Sequence, residues 1–284
     1  MQWWCSAQGI AWTWSWRPYV GVWLMVLALA GWYWRAYRRA ARETNGTHPR
    51  LRPGRVAVAL SGILCLWIAL DWPVGTLGSG YLASVHMVQF FLIAMIAPAL
   101  LIYGWPLAAV SDLDEQGVLL RSVRALTHPV FATAAFILIV AATHAPLVVD
   151  ALMVSQLGSF VLDMAWLVGG LLFWLPVMGG VPGRAPLRAP MNIAFIFAGS
   201  LSHTGVAMYL LLARFPVYRT YEMAPPIQGI SPLVDQEMAG GLMLLGSMAI
   251  VLGAISVVFY RWQARVERES PSLPTSMHPG TRQP

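Results

Sequence analysis

The sequence predicts an all-α, polytopic membrane protein with seven transmembrane helices, its N-terminus outside and its C-terminus cytoplasmic. Three observations lead there. First, 58% of the 284 residues are hydrophobic and 11% charged. A soluble domain carries roughly a quarter of its residues charged, so most of this surface must face lipid. Second, seven stretches approach the ~20 apolar residues that a spanning helix needs: 18–37, 55–72, 82–103, 129–148, 156–178, 190–213 and 236–260. Third, the arginines between those stretches gather on one side.

In chain order, residues 1–17 form an external Trp-rich segment, in which Trp3, Trp4, Trp12, Trp14 and Trp16 suit the membrane interface. It lacks a basic start, so no cleavable signal is expected. The seven-helix domain covers 18–262. Lipid offers no partner for backbone N–H and C=O groups, so each apolar stretch must be helical. The first loop holds Arg38, Arg39, Arg42, Arg50, Arg52 and Arg55, and the third holds Arg121 and Arg124. The fifth holds Arg184 and Arg188, and the tail Arg261, Arg265 and Arg268. Only Arg17, Arg214 and Arg219 lie on the other side, which makes the Arg-rich side cytoplasmic. In the third loop, Ser111-Asp112-Leu113-Asp114-Glu115 precedes Leu119, Leu120, Val123 and Leu126. That pattern reads as a capped amphipathic helix on the cytoplasmic interface. Residues 263–284 form a cytoplasmic tail, Ser/Pro-rich and expected to be disordered.

Composition also excludes functions. A net charge of +6 suits nucleic acid, but every basic residue is Arg and none forms a stripe interleaved with aromatics, so no nucleic-acid partner is expected. Cys5 and Cys65 are the two cysteines, and they form no CxxC pattern, which leaves no disulfide framework or dithiol metal site. No nucleophile–base pair, P-loop, HExxH or glycine fingerprint is present, and the chain is not expected to be an enzyme.

A polar side chain inside lipid costs a few kcal/mol unless it meets a partner. Those that need one are Asp71, His86, His144, Asp163 and His203, with Asp235 and Glu237 at the mouth of the seventh helix. The expected topology puts all of them in the outer half of the bundle. Asp235 follows Ser231-Pro232, a good helix start where the dipole favours an acid. Asp71 and His144 fall at helix ends, among headgroups. His86, Asp163 and His203 lie too deep to reach water. Either they bond between helices, or they form an outward-facing site of imidazoles and a carboxylate. Met87, Met164 and Met208 lie beside them, and imidazole with thioether suits a soft or borderline metal, copper in particular.

Several segments carry a further signal. LASVHMVQFFLIAMIAPALLIYGWP (82–106) contains His-Met, an apolar run, a Pro and a Gly-x-Pro. LLFWLPVM (171–178) contains Phe-Trp-x-Pro, and FPVYRTY (215–221) precedes SPLVDQEMAGGLM (231–243), with its Ser-Pro-Leu-x-Asp-Gln-x-x-Ala-Gly. With the opening WSWRPYVGVWLMVLALAGWYW, these segments resemble the CtaG-type cytochrome c oxidase assembly factors, a seven-helix family, over residues 14–262. The resemblance implies a factor for assembly and maturation of a haem–copper cytochrome c oxidase in the bacterial cytoplasmic (inner) membrane, handling copper at the outer cluster. The implied partners are oxidase subunits, the lipid bilayer and a soluble copper chaperone.

His86 matches the first His of the family's His-Met-x-x-His motif, and Asp235-Gln236 match its Asp-Gln. Two positions depart from the pattern. Phe90 stands where the second His of that motif would be, and Asp163 stands where the family usually carries a His in helix five. The candidate metal ligands are thus His86, His203, Asp163 and His144, with copper as candidate cofactor. Asp235, Gln236, Asp71 and Met87 are further functional candidates. Two other functions stay open on the residues alone. One is a haem-binding electron carrier with His86 and His203 as axial ligands; the other is a copper or proton transporter.

Overall fold

The computed structural model describes residues 2–43, 52–105, 117–179, 181, 187–227 and 229–269. Among these the regular structure is entirely helical: α1 (Val20–Glu43), α2 (Pro53–Leu70), α3 (Val74–Gly80) and α4 (Ala83–Phe90), which runs through a π-helical segment (Phe91–Ile96) into α5 (Ala97–Gly104). There follow α6 (Val118–Leu126), α7 (Pro129–Thr143), α8 (Pro146–Leu152), α9 (Gln156–Met178), α10 (Ala189–Leu212), α11 (Arg219–Glu222) and α12 (Pro232–Glu269).

Local chemistry sets these boundaries. Proline occupies the first turn of α2, α7, α8 and α10, where its missing N–H costs nothing. Ser155 opens α9 by accepting the Gly158 N–H at 3.0 Å, and Gly179 closes it with a left-handed φ of 65°. The π-helical segment follows from Pro98, which has no N–H to give the Ala94 carbonyl. The Ala97 N–H instead reaches back five residues to Leu92. There α9 crosses so closely that a Cβ added to Gly170 would collide with the Ala94 carbonyl.

Five helical stretches among the described residues are long and apolar enough to cross a membrane: Pro53–Leu70, Ala83–Gly104, Gln156–Met178, Ala189–Leu212 and Pro232–Glu269. Leu120–Leu126 with Pro129–Thr143 make a sixth if taken as one span, but they are bent by 73°. α1, expected as the first span, is not among the five. Trp32, Tyr33, Trp34 and Arg35 dilute its apolar run, although it packs along α2. The fourth expected stretch, 129–148, breaks after Thr143, because the residue before Pro146 is pushed out of helical geometry. Ser111–Glu115 lie outside the described residues. The helix near them, α6, buries Leu120 and exposes Leu126. α12 outruns its expected end and continues through Glu269, while 270–284 lie outside the described residues.

α10 and α12 share the broadest helix contact, and α2–α5, α7–α9 and α4–α12 pairs complete the bundle. The N-terminal segment folds over one end. There the Ala7 N–H donates to the Met153 carbonyl and the Gly21 N–H to the Trp3 carbonyl, both at 2.9 Å. Within it, Trp4 and Cys5 are buried against the bundle.

Candidate functional site

His86 lies in the first turn of α4, His144 directly follows α7, and His203 lies in the second half of α10. The bundle brings all three to the end covered by the N-terminal segment. They are 1%, 2% and 0% exposed. The His86 and His144 ring centroids are 6.5 Å apart. Phe90, one turn below His86, stands 4.9 Å edge-on to His144 and 5.6 Å from His203. Trp166 of α9 completes the cluster at 4.8 Å from His86 and 5.8 Å, stacked, from His144.

Hydrogen bonds fix the surroundings and leave the imidazoles open. His144 donates Nδ1–H to the Val140 carbonyl at 2.8 Å, which leaves Nε2 with the lone pair. That Nε2, and both ring nitrogens of His86 and His203, have no partner among the described residues. Trp166 donates to Thr143 Oγ1 at 2.9 Å, which locks its indole. The Tyr218 hydroxyl donates to the His144 carbonyl at 2.9 Å, and Tyr221, 5.8 Å from the His86 ring, donates to the Gly78 carbonyl at 2.6 Å. Burial raises both phenols above their ordinary pKa, so they stay protonated donors.

The carboxylates have other engagements. Asp163 accepts the Trp4 indole N–H at 2.8 Å and the Gln89 amide at 3.4 Å. Asp71 accepts the Trp23 and Trp67 indoles, each at 2.8 Å, and so ties α1 to α2. Asp235 does not cap its own helix, α12. It accepts the N–H groups of Ala83 and Ser84 and the Ser84 hydroxyl, which caps α4 from across the bundle. Gln236 accepts the Val217 N–H at 2.6 Å and donates to the Leu210 and Phe215 carbonyls, each at 3.2 Å. Thus Asp235 and Gln236 clamp the start of α4 and the loop after α10. Met87 is buried in the apolar core.

Among the described residues, no three His, Cys, Asp or Glu side chains stand close enough to hold one metal ion. The ring neighbours of His203 are Phe90 and Phe136, at 5.6 and 5.5 Å. What the cluster offers is buried imidazole nitrogen without a hydrogen-bond partner, divided by one phenylalanine. Sequence reasoning missed Trp4, Gln89, Trp166 and Tyr221. Gln89 carried a signal, being a polar residue three positions after His86 in an apolar run.

Residues 31–265 match the family model described as cytochrome c oxidase caa3 assembly factor (Caa3_CtaG). Similar curated proteins include "Uncharacterized protein Mb0105" of Mycobacterium bovis and "Uncharacterized protein MT0111" of Mycobacterium tuberculosis. Each is 27% identical over 235 residues, covering 76% of this chain and 35% of its own length. "Uncharacterized protein ML1998" of Mycobacterium leprae is 26% identical over 278 residues, covering 90% of this chain and 40% of its own length. The chain therefore spans little more than a third of the length of the curated relatives it matches. No solved structure matches it.

Proposed function

The chain belongs to the cytochrome c oxidase caa3 assembly factor family, and from that premise we propose that it helps to mature a haem–copper cytochrome c oxidase by passing on copper as cargo. One observation carries the copper part: three buried imidazoles meet around Phe90, and five of their ring nitrogens have no partner. Unpartnered imidazole nitrogen in an apolar pocket suits a cuprous ion better than a hard cation. His86 and His144 are the pair that would hold it. Two donors make a weak site, which fits a factor that must release its cargo. The role needs no catalytic group, and the partners are oxidase subunits and a soluble copper donor.

The same reading sets the topology at seven crossings of the bacterial cytoplasmic membrane, with α1 as the first and α6 lying on the inner surface. At ~1.5 Å per residue, the 24 residues of α1 are long enough to cross a core about 30 Å thick. The Arg-poor end, which carries the N-terminal segment and the imidazoles, then faces outward. Single cysteines replace Met223 and Arg42, both exposed residues, in a chain whose own Cys5 and Cys65 are changed to Ala. In intact cells, a membrane-impermeant maleimide is expected to label Met223→Cys and spare Arg42→Cys. The reverse pattern inverts the topology.

The function is tested in a deletion strain. Loss of the gene is expected to lower cytochrome c oxidase activity while quinol oxidase activity persists. The wild-type gene restores the lost activity and His86→Ala does not. Normal oxidase activity in the deletion strain, without a paralogue, would sink the assembly role. Full restoration by His86→Ala would sink the copper role alone.

A further inference from the structure

A second site lies at the other end of the bundle, and it does not depend on the copper reading. Between α2, α5, α9 and α12 runs a groove of about 590 Å³. Met95, Ile250, Ala254 and Val258 line its apolar part. Arg55, at the start of α2, and Arg261, near the end of α12, line it as well. The Arg55 guanidinium lies 4.6 Å over the Tyr103 ring and donates to the Tyr103 carbonyl at 3.4 Å, which parks the charge at the end of α5.

Between the charged end and the apolar part sits Trp174. It is buried and lines the groove, and its indole N–H has no acceptor among the described residues. Trp174 lies four residues before the end of α9 at Met178, or about 6 Å along the axis at 1.5 Å per residue. Met95 lies eight residues from Tyr103, about 12 Å by the same measure. The order is therefore two guanidinium groups, one indole donor a few ångströms deeper, and an apolar slot beyond. A wholly apolar occupant would leave the indole without an acceptor and the two guanidinium groups without a counter-charge, and a free anion would leave the slot unused. The geometry points to one anionic phospholipid, with its phosphate between Arg55 and Arg261, an ester carbonyl on Trp174, and an acyl chain in the slot. Charge complementarity selects the headgroup.

Gly253 provides the test. It lines the groove on α12, and a Cβ built there meets nothing within 4 Å among the described residues. Gly253→Leu fills the slot while improving helix propensity, so a loss of lipid in this variant is not a loss of fold. The full chain, purified in detergent, is exposed to phosphatidylglycerol or phosphatidylcholine, and retained lipid is counted by native mass spectrometry. The expectation is one phosphatidylglycerol retained by the wild type, with phosphatidylcholine at least tenfold less. Gly253→Leu and the Arg55→Ala/Arg261→Ala double variant are each expected to lose at least tenfold. Trp174→Phe, which keeps a ring and removes the N–H, is expected to lose severalfold. Equal retention of the two lipids overturns the proposal, as does unchanged retention by Gly253→Leu. Displacement of the lipid by millimolar inorganic phosphate alone also overturns it, by reducing the site to an anion pocket.

Discussion

Replacing Asp235 with Ala is expected to lower the unfolding free energy by about 3 kcal/mol, the scale of leaving buried hydrogen-bond donors unsatisfied. The carboxylate stands on α12, yet it serves α4, whose first amides have no partners within their own helix. It accepts the N–H groups of Ala83 and Ser84 and the Ser84 hydroxyl, and it is buried. Removing it strands three donors where water does not reach. Hydrogen bonds to charged groups contribute about 1.5–3 kcal/mol each, and a lost N-cap costs about 1 kcal/mol. These losses overlap, which is why their sum is not expected. Asp235→Asn keeps one acceptor oxygen and should lose roughly half as much. Denaturant unfolding in detergent, followed by circular dichroism, reads both. His86 lies three residues into α4, so the destabilised variants should also lose whatever the imidazole cluster does. A change below about 1 kcal/mol in Asp235→Ala would mean that other contacts hold the start of α4.

Where bilayer thickness dictates the answer, the structure was legible in the sequence. The stretch 156–178 coincides with α9, and 82–103 and 190–213 each lie within one residue of α4–α5 and α10. Gathering of the polar residues at one end was legible too, because helix direction alternates from span to span. The partners of those residues were not. Asp163 finds its donor in Trp4, 159 positions away, in a segment that reads as a membrane anchor. The carboxylate at this position, where the family resemblance expects His, accounts for itself in the Trp4 and Gln89 N–H groups it accepts. Asp235 looks in sequence like an acid favoured by the dipole of its own helix, three residues after Pro232. Only the packing of α12 on α4 shows that it caps its neighbour. Side-chain partners across a bundle depend on helix order and rotation, which an apolar periodicity on both faces does not encode.

Phe90→His is expected to raise copper retention from well below one ion per chain to near one, with at least a tenfold gain in affinity for Cu(I). Phe90 is fully buried, one turn from His86 on the same face of α4, and its ring stands 4.9 Å from His144 and 5.6 Å from His203. In the wild type it is an apolar wedge among three imidazoles, and no three ligating groups converge among the described residues. An imidazole at this position supplies a fourth nitrogen ligand at the centre of the cluster and joins His203 to the other two. The exchange gives up a buried aromatic ring, at a cost of about 1–3 kcal/mol in the metal-free protein. That loss should return as metal-dependent stability, because an ion that binds only the folded state stabilises it by mass action. Elemental analysis of reduced, detergent-purified protein gives the stoichiometry, and Cu(I) competition titration gives the affinity. Phe90→Leu serves as the control for lost aromatic packing. A tighter site should also release its cargo more slowly, so Phe90→His should bind more copper and yet support less oxidase assembly in the deletion strain. If Phe90→His retains no more copper than Phe90→Leu, the imidazoles are a packing device, and docking of an oxidase subunit replaces copper handover as the basis of the assembly role.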